Sequence, residues 1–225
     1  MYDVIVIGAG PAGLQAALTL GRMHRSALLL DSGEYRNGTV LHMHNVAAND
    51  GTPPADFRAI ARAQLAEYAD IEVRDARVER IDGEQGAFTL ELADGGTVAA
   101  RRIVLATGMA DELPAIPGLQ ELWGVGAFSC PFCDGHEHAG KRIAVIGEAA
   151  RAAHLIGLLG RIVSSITVFP AESSFTEEDR ATLAALGAVV APSAPLSITR
   201  EGETVTLTTA ESEASVAGIF VASVV

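Results

Sequence analysis

The sequence predicts an α/β protein with two Rossmann-like, three-layer nucleotide-binding domains. Three observations carry that prediction. A β-branched run ends in a glycine-rich turn at Gly8; the same run returns at an offset of 139 residues, ending at Gly147; and strand and helix periodicities alternate between the two.

Residues 3–7, "DVIVI", form a nearly unbroken apolar run and read as a strand buried on both faces. Gly8, Gly10 and Gly13 follow as G-x-G-x-x-G, with Pro11 and Ala12 between the last two. Gly8 permits a tight turn, and Gly10 leaves room for a pyrophosphate to approach the backbone. Gly13 lets the next helix lie close on the strand, and the N-terminus of that helix offers free N–H groups to phosphate. Leu14, Ala17, Leu18 and Gly21 recur at helical spacing, and "ALLLD" forms a second strand ending at Asp31. Asp31 lies 18 residues past Gly13 (31 minus 13), where this fingerprint wants a carboxylate for a ribose hydroxyl. The register of strand, turn, helix, strand and acid predicts a dinucleotide site. It does not separate FAD from NAD.

Residues 57–69 place Phe57, Ile60, Ala61, Gln64, Leu65 and Tyr68 on one stripe, which predicts a helix. Residues 71–83 and 87–108 alternate as strands, with a hairpin turn in "ADGGT". The two prolines of "LPAIPG" read as a crossing between domains, with the boundary near residue 112. The expected domains are therefore 1–112 and 113–225.

In the second copy "RIAVIGEAARAAHLIGLLGR" falls on the first fingerprint. Gly147 is kept, but Ala149 replaces Gly10, Ala152 replaces Gly13, and Pro170 falls on Asp31. Ala is tolerated at the third position. The Ala149 methyl, by contrast, is expected where a pyrophosphate should approach, and Glu148 adds negative charge to the turn. No arginine follows in "TVFPAESSF" to receive a 2′-phosphate. The expectation is a pyridine-nucleotide fold with weak or absent NADPH binding.

Sixteen basic and 28 acidic residues give a net charge of −12, which repels phosphate backbones and anionic lipid. Nucleic acid and membranes are thus not expected partners. No apolar run reaches the ~20 residues of a membrane span. The strand pattern starts at the second residue and leaves no space for a leader, so a cytoplasmic location is expected.

Both cysteines and two of the six histidines lie in "SCPFCDGHEH". Three readings compete: a redox dithiol, a zinc site, and an inert loop. Two residues between Cys130 and Cys133 let the sulfurs meet in one turn, as redox pairs do. In that reading Asp134 or His136 can move the proton. Zinc would need Cys130, Cys133, His136 and His138, but one residue separates the histidines where zinc sites favour three to five. The dithiol is preferred and no metal is expected. His138 is expected to be an exposed loop residue, while His42 and His44 stay open between that reading and a functional one.

The order of these pieces resembles the low-molecular-weight thioredoxin reductases and their relatives, FAD-dependent disulfide oxidoreductases. The matching stretches are "VIGAGPAGLQAAL", "IVLATG", "LPAIPG" and "CPFCDG". The resemblance implies FAD on the first domain, held by Gly8, Gly10, Pro11, Ala12, Gly13, Asp31, Ser32, Asn45, Val78, Ala106, Thr107 and Gly108. It implies that Cys133 exchanges electrons with the flavin while Cys130 meets the substrate. The substrate would be a small dithiol or disulfide, or a thioredoxin-like protein, and the assembly a homodimer. Branches of the family that do not use NADPH include oxidases of natural-product dithiols and reductases fed by ferredoxin. Relatives also carry a C-terminal return segment that completes the FAD domain, and this segment is expected to be missing after "AGIFVASVV".

Overall fold

The structure is a computed structural model, and it describes residues 1–172 and 174–222. The chain divides into two compact units. The first comprises Met1–Gly38 and Thr52–Ala110; the second comprises Thr39–Gly51 and the chain from Asp111 onward. The segment Thr39–Gly51 thus leaves the first unit between its second strand and second helix and joins the dithiol-bearing unit.

The first unit runs β1 (Tyr2–Ile7), α1 (Pro11–Arg22), β2 (Ala27–Asp31), α2 (Pro54–Leu65), β3 (Ile71–Asp75), β4 (Val78–Glu84), β5 (Ala87–Leu92) and β6 (Thr97–Leu105). These strands form one sheet in the order β3-β2-β1-β6-β5-β4. Pairing is parallel from β3 to β6 and antiparallel through β5 and β4. Side-chain alternation divides the core. Val4, Val6 and Leu29 pack with Leu14, Ala17 and Leu65 from the helices. Ile5, Leu28 and Leu30 pack with Leu90, Leu92 and Ala100 on the opposite face.

The helix expected over residues 57–69 begins earlier and ends earlier. Pro54 occupies its first turn, where a missing N–H costs nothing. Past its end the chain packs on Gly21, where a Cβ would lie 2.9 Å from the Tyr68 ring and from Ile71. Tyr68 therefore seats on α1, and the chain turns toward β3.

The second unit contains β7 (Ala127–Phe128), α3 (Pro131–Asp134), β8 (Arg142–Ile146), α4 (Ala149–Leu159), β9 (Ser165–Phe169), α5 (Glu177–Ala185), β10 (Val189–Val190), β11 (Ser197–Glu201), β12 (Thr204–Thr208), β13 (Glu213–Val216) and β14 (Ile219–Val221). A parallel sheet runs β10-β9-β8-β14-β7, with β11-β12-β13 as a separate antiparallel sheet. Ile143 and Val145 face α4 and α5, whereas Ala144 and Ile146 share a core with Val205 and Leu207 of β12.

The repeat seen in sequence is a repeat in hydrogen bonding. Gly8 donates its N–H to Leu30 (2.8 Å) and Gly147 to Phe169 (3.1 Å). Ala106 donates to Ile7 and Ala222 to Ile146, both at 2.8 Å. Each unit therefore holds its first glycine between two parallel strands, and both units have the α/β fold expected of them.

Candidate functional site

The glycines of the first fingerprint divide into two kinds. Gly8 has φ +102°, and a Cβ there would strike the Ala106 carbonyl. A Cβ on Gly13 would strike the Gly8 carbonyl. These two positions are fixed by the fold. A Cβ on Gly10 would meet nothing within 4 Å, so that glycine keeps the space before α1 open. Gly10 precedes Pro11 at the helix start with no capping side chain, leaving first-turn N–H groups available to an anion.

Asp31 closes β2 and is only 3% exposed. Its Oδ1 accepts the Gly33 N–H at 3.0 Å, and its Oδ2 accepts from the Tyr35 hydroxyl and from Arg62 Nη2 at 2.8 Å. Arg62 also bonds Asp75. Burial, followed by the hydrogen bond to Asp31, pushes the Tyr35 phenol upward. The Arg58 guanidinium lies 3.7 Å above the Tyr35 ring. Asp31, Ser32, Tyr35, Arg62 and Arg77 line an open cleft of about 490 Å³. Sequence reasoning missed Arg62 and Tyr35, because nothing in a polar helix position or a loop tyrosine marks a partner on another strand. Oδ1 of Asp31 has capacity left for a ribose hydroxyl, so these residues fit the nucleotide end of a dinucleotide.

The remaining first-domain candidates are spread out. Ala106 lies against Gly8, and Thr107 and Gly108 follow it as exposed residues, Gly108 with φ +69°. Val78 opens β4 and joins the core on the sheet face away from α1. Asn45 belongs to the second unit, where its φ is +61° and its N–H donates to Asp50 Oδ1 at 2.8 Å.

Cys130 precedes α3 and Cys133 lies within it; the two form a disulfide with Cα atoms 5.3 Å apart. The Cys130 carbonyl accepts N–H bonds from Cys133 and Asp134, both at 3.2 Å. Gly135 has a packing reason: a Cβ would meet the Pro131 carbonyl and lie 2.9 Å from Leu159 of α4. The Asp134 carboxyl is raised to about 6, chiefly by burial and next by the Glu137 charge, with His44 acting in the opposite sense. His44 Nε2 lies 3.7 Å from Glu137 and its Nδ1 3.5 Å from Asp50. His136 is exposed, as is Phe132 at 66%. In this structure each sulfur is bonded to the other. Among the described residues no group of three or more His, Cys, Asp or Glu side chains is placed to hold a metal.

His138 is not the exposed residue expected from its polar surroundings. It is 6% exposed, donates from Nδ1 to the Asp134 carbonyl at 2.7 Å, and meets Phe128 and Phe220 edge-on at 5.3 and 5.5 Å. Two separate strands, β7 and β14, supply those rings, which is why local polarity misled.

In the second fingerprint α4 begins at Ala149, two residues after Gly147, whereas α1 begins three residues after Gly8. Ala149 packs against the α4–α5 core, and Glu148 stands exposed at the helix start.

The profile of the pyridine nucleotide-disulphide oxidoreductases matches residues 2–222. The chain is 38% identical over 184 residues to the protein named "Probable thioredoxin reductase" of Arthroderma benhamiae, covering 79% of this chain and 46% of that one. It is 36% identical over 178 residues to thioredoxin reductase aclD of Aspergillus oryzae, covering 75% and 56%. The crystal structure of an oxidoreductase from Agrobacterium tumefaciens superposes with a TM-score of 0.89 at 35% identity, over 99% of this chain and 75% of that one. The chain spans about half the length of these curated relatives. With the profile matched along nearly all of its sequence and a Cys130–Cys133 pair in place, the chain belongs to the pyridine nucleotide-disulphide oxidoreductase family, on its thioredoxin reductase-like side.

Proposed function

We propose that the protein is an FAD-dependent thiol–disulfide oxidoreductase whose exchanging group is the Cys130–Cys133 pair. The observation that carries this reading is the disulfide joined in sequence to Asp134, a carboxyl raised to about 6. In this reading residues 1–112 form the FAD domain and residues 113–225 a pyridine-nucleotide-type domain. Gly8, Gly10, Gly13 and Asp31 would hold the dinucleotide, with Pro11, Ala12, Ser32, Val78, Ala106, Thr107, Gly108 and Asn45 contributing as the family pattern suggests. FAD, when bound, supplies the two-electron carrier that the sulfurs exchange with.

In the oxidising direction a substrate thiolate attacks Cys130 Sγ, forming a mixed disulfide and breaking the Cys130–Cys133 bond. Cys133 leaves as a thiolate. A second substrate thiolate then displaces Cys130, so the substrate gains a disulfide and the protein two thiols. The reducing direction runs these steps backward. Each departing thiolate takes up a proton, and Asp134 holds one at weakly acidic pH. His136, exposed beside it, is the second carrier.

Glu148 at the start of α4 opposes an incoming pyrophosphate, which supports weak or absent NADPH use. The substrate is a dithiol or disulfide, either a small molecule or a thioredoxin-like protein, a reading supported by the names of the relatives. Homodimeric assembly and a cytoplasmic location complete the proposal. Among the described residues no helix is long and apolar enough to cross a membrane.

The test is reconstitution of the purified chain with FAD, followed by absorption spectra and dithiol turnover. Flavin bands and turnover are expected, with Cys130→Ser and Cys133→Ser each abolishing turnover and NADPH bleaching the flavin slowly under anaerobic conditions. No flavin bands after FAD addition would sink the proposal, and full activity in Cys133→Ser would overturn the assigned sulfur roles.

A further inference from the structure

Residues 39–51 are the part of the second unit that comes from farthest away in the sequence, and they deliver one imidazole to the redox segment. The loop is held in shape by its own hydrogen bonds. The Gly51 N–H donates to the Met43 carbonyl at 2.8 Å, and the Gly51 carbonyl meets His42 Nδ1 at 3.0 Å. Asp50 Oδ1 accepts the Asn45 N–H at 2.8 Å and lies 3.5 Å from His44 Nδ1. Asn45 and Ala48 adopt positive φ, at +61° and +67°, so the loop spends backbone strain to hold its turns.

The side chain of His44 is 27% exposed and stands between Asp50, from its own loop, and Glu137, from the turn that follows α3. We propose that His44 is a positioning residue of the dithiol site: seated between Asp50 and Glu137, it offsets the Glu137 charge and thereby tunes Asp134. The inference rests on the proposed role of Asp134 in thiol–disulfide exchange, and it adds the residue that controls that role.

Glu137 is a like charge to Asp134 and holds its proton on, while His44 is an unlike charge and draws it off. His44 is seated on Glu137, so the two effects are coupled through one contact. The groups around Asp134 are Glu137 and His44, the imidazole of His138 on its carbonyl, and the two cysteines; α4, packed against α3, carries Arg151 and His154. These last two are kept native in the variants below.

The experiment is a ¹³C-carboxyl NMR titration of the oxidised full chain, with Asp134→Asn identifying the Asp134 signal, alongside the pH profile of disulfide exchange with dithiothreitol. The wild-type midpoint is expected near 6. His44→Gln should raise it by roughly half a unit or more, Glu137→Gln should lower it, and His44→Lys should bring it back to or below the wild-type value. A merely structural His44 would not be rescued by lysine. A midpoint unmoved in His44→Gln, or one raised equally by glutamine and lysine, overturns the proposal. The two readings fail separately. If Asp134→Asn leaves the exchange profile unchanged, the acid–base role of Asp134 falls, while the NMR midpoints still decide whether His44 controls its ionisation.

Discussion

The imidazole of His138 fills the space that a side chain on residue 218 would need: a Cβ on Gly218 would collide with Nε2 and lie 2.8 Å from Cδ2. His138 is in turn bonded to the Asp134 carbonyl, so a glycine before β14 underwrites the position of the redox turn. The accepting carbonyl requires that Nδ1 carry the hydrogen, which fixes the tautomer.

Gly218→Ala is therefore expected to push His138 out of its pocket and destabilise the protein by about 1–3 kcal/mol, the usual range for overpacking. Denaturant melts of wild type and variant measure it. If His138→Ala paired with Gly218→Ala restores none of that loss, the clash is not its cause.

The first fingerprint yields a contrast between two glycines with the same residue type and different duties. Gly13→Ala drives a methyl into the Gly8 carbonyl and should lower stability whether or not cofactor is present. Gly10→Ala meets no protein atom, so without cofactor it should cost far less stability than Gly13→Ala, while FAD affinity falls at least about tenfold. Equal loss of stability in the two variants would contradict this division.

How far the sequence could be read depends on the range of the contacts. The glycine turns, the paired cysteines and the duplicated strand–helix pattern are local, and hydrophobic period and residue spacing reveal them. The Arg62–Asp31 contact, the Phe220 ring against His138 and the seat of His44 on Glu137 join residues far apart in the chain. Hydrophobic pattern carries no information on such polar pairings. That is why His138 read as a surface residue and why the second unit's claim on residues 39–51 left no sequence signal.

Arg62 links α2 to the ends of β2 and β3 through Asp31 and Asp75. Arg62→Met keeps the aliphatic stem but strands the buried Asp31 carboxylate with only Tyr35 and Gly33 as donors. Breaking a fully buried pair costs ~3–5 kcal/mol; with Arg62 31% exposed, roughly 2 kcal/mol is expected. Thermal melts at neutral pH test this, and a loss below about 0.5 kcal/mol would place the pair with ordinary surface bridges.

The raised carboxyl of Asp134 makes stability depend on pH in a way opposite to that of most carboxylates. The unfolded chain releases this proton near its ordinary value of 3.8, whereas the folded chain holds it to about 6. Between those values the folded state binds more protons, so this group's contribution is fully present below the lower one and is lost as pH rises through the upper one. Asp134→Asn cannot ionise and escapes that loss. In the oxidised protein, where the cysteines do not titrate, the variant should melt close to wild type at pH 4 and above it at pH 8, with the gap growing above pH 4 and levelling off past pH 6. Subtracting the two melting curves removes the contribution of the other acids, apart from groups coupled directly to Asp134. A gap that stays constant from pH 4 to pH 8 would show that Asp134 ionises in the folded protein as it does in the unfolded chain. It could not then hold a proton for a departing thiolate at weakly acidic pH.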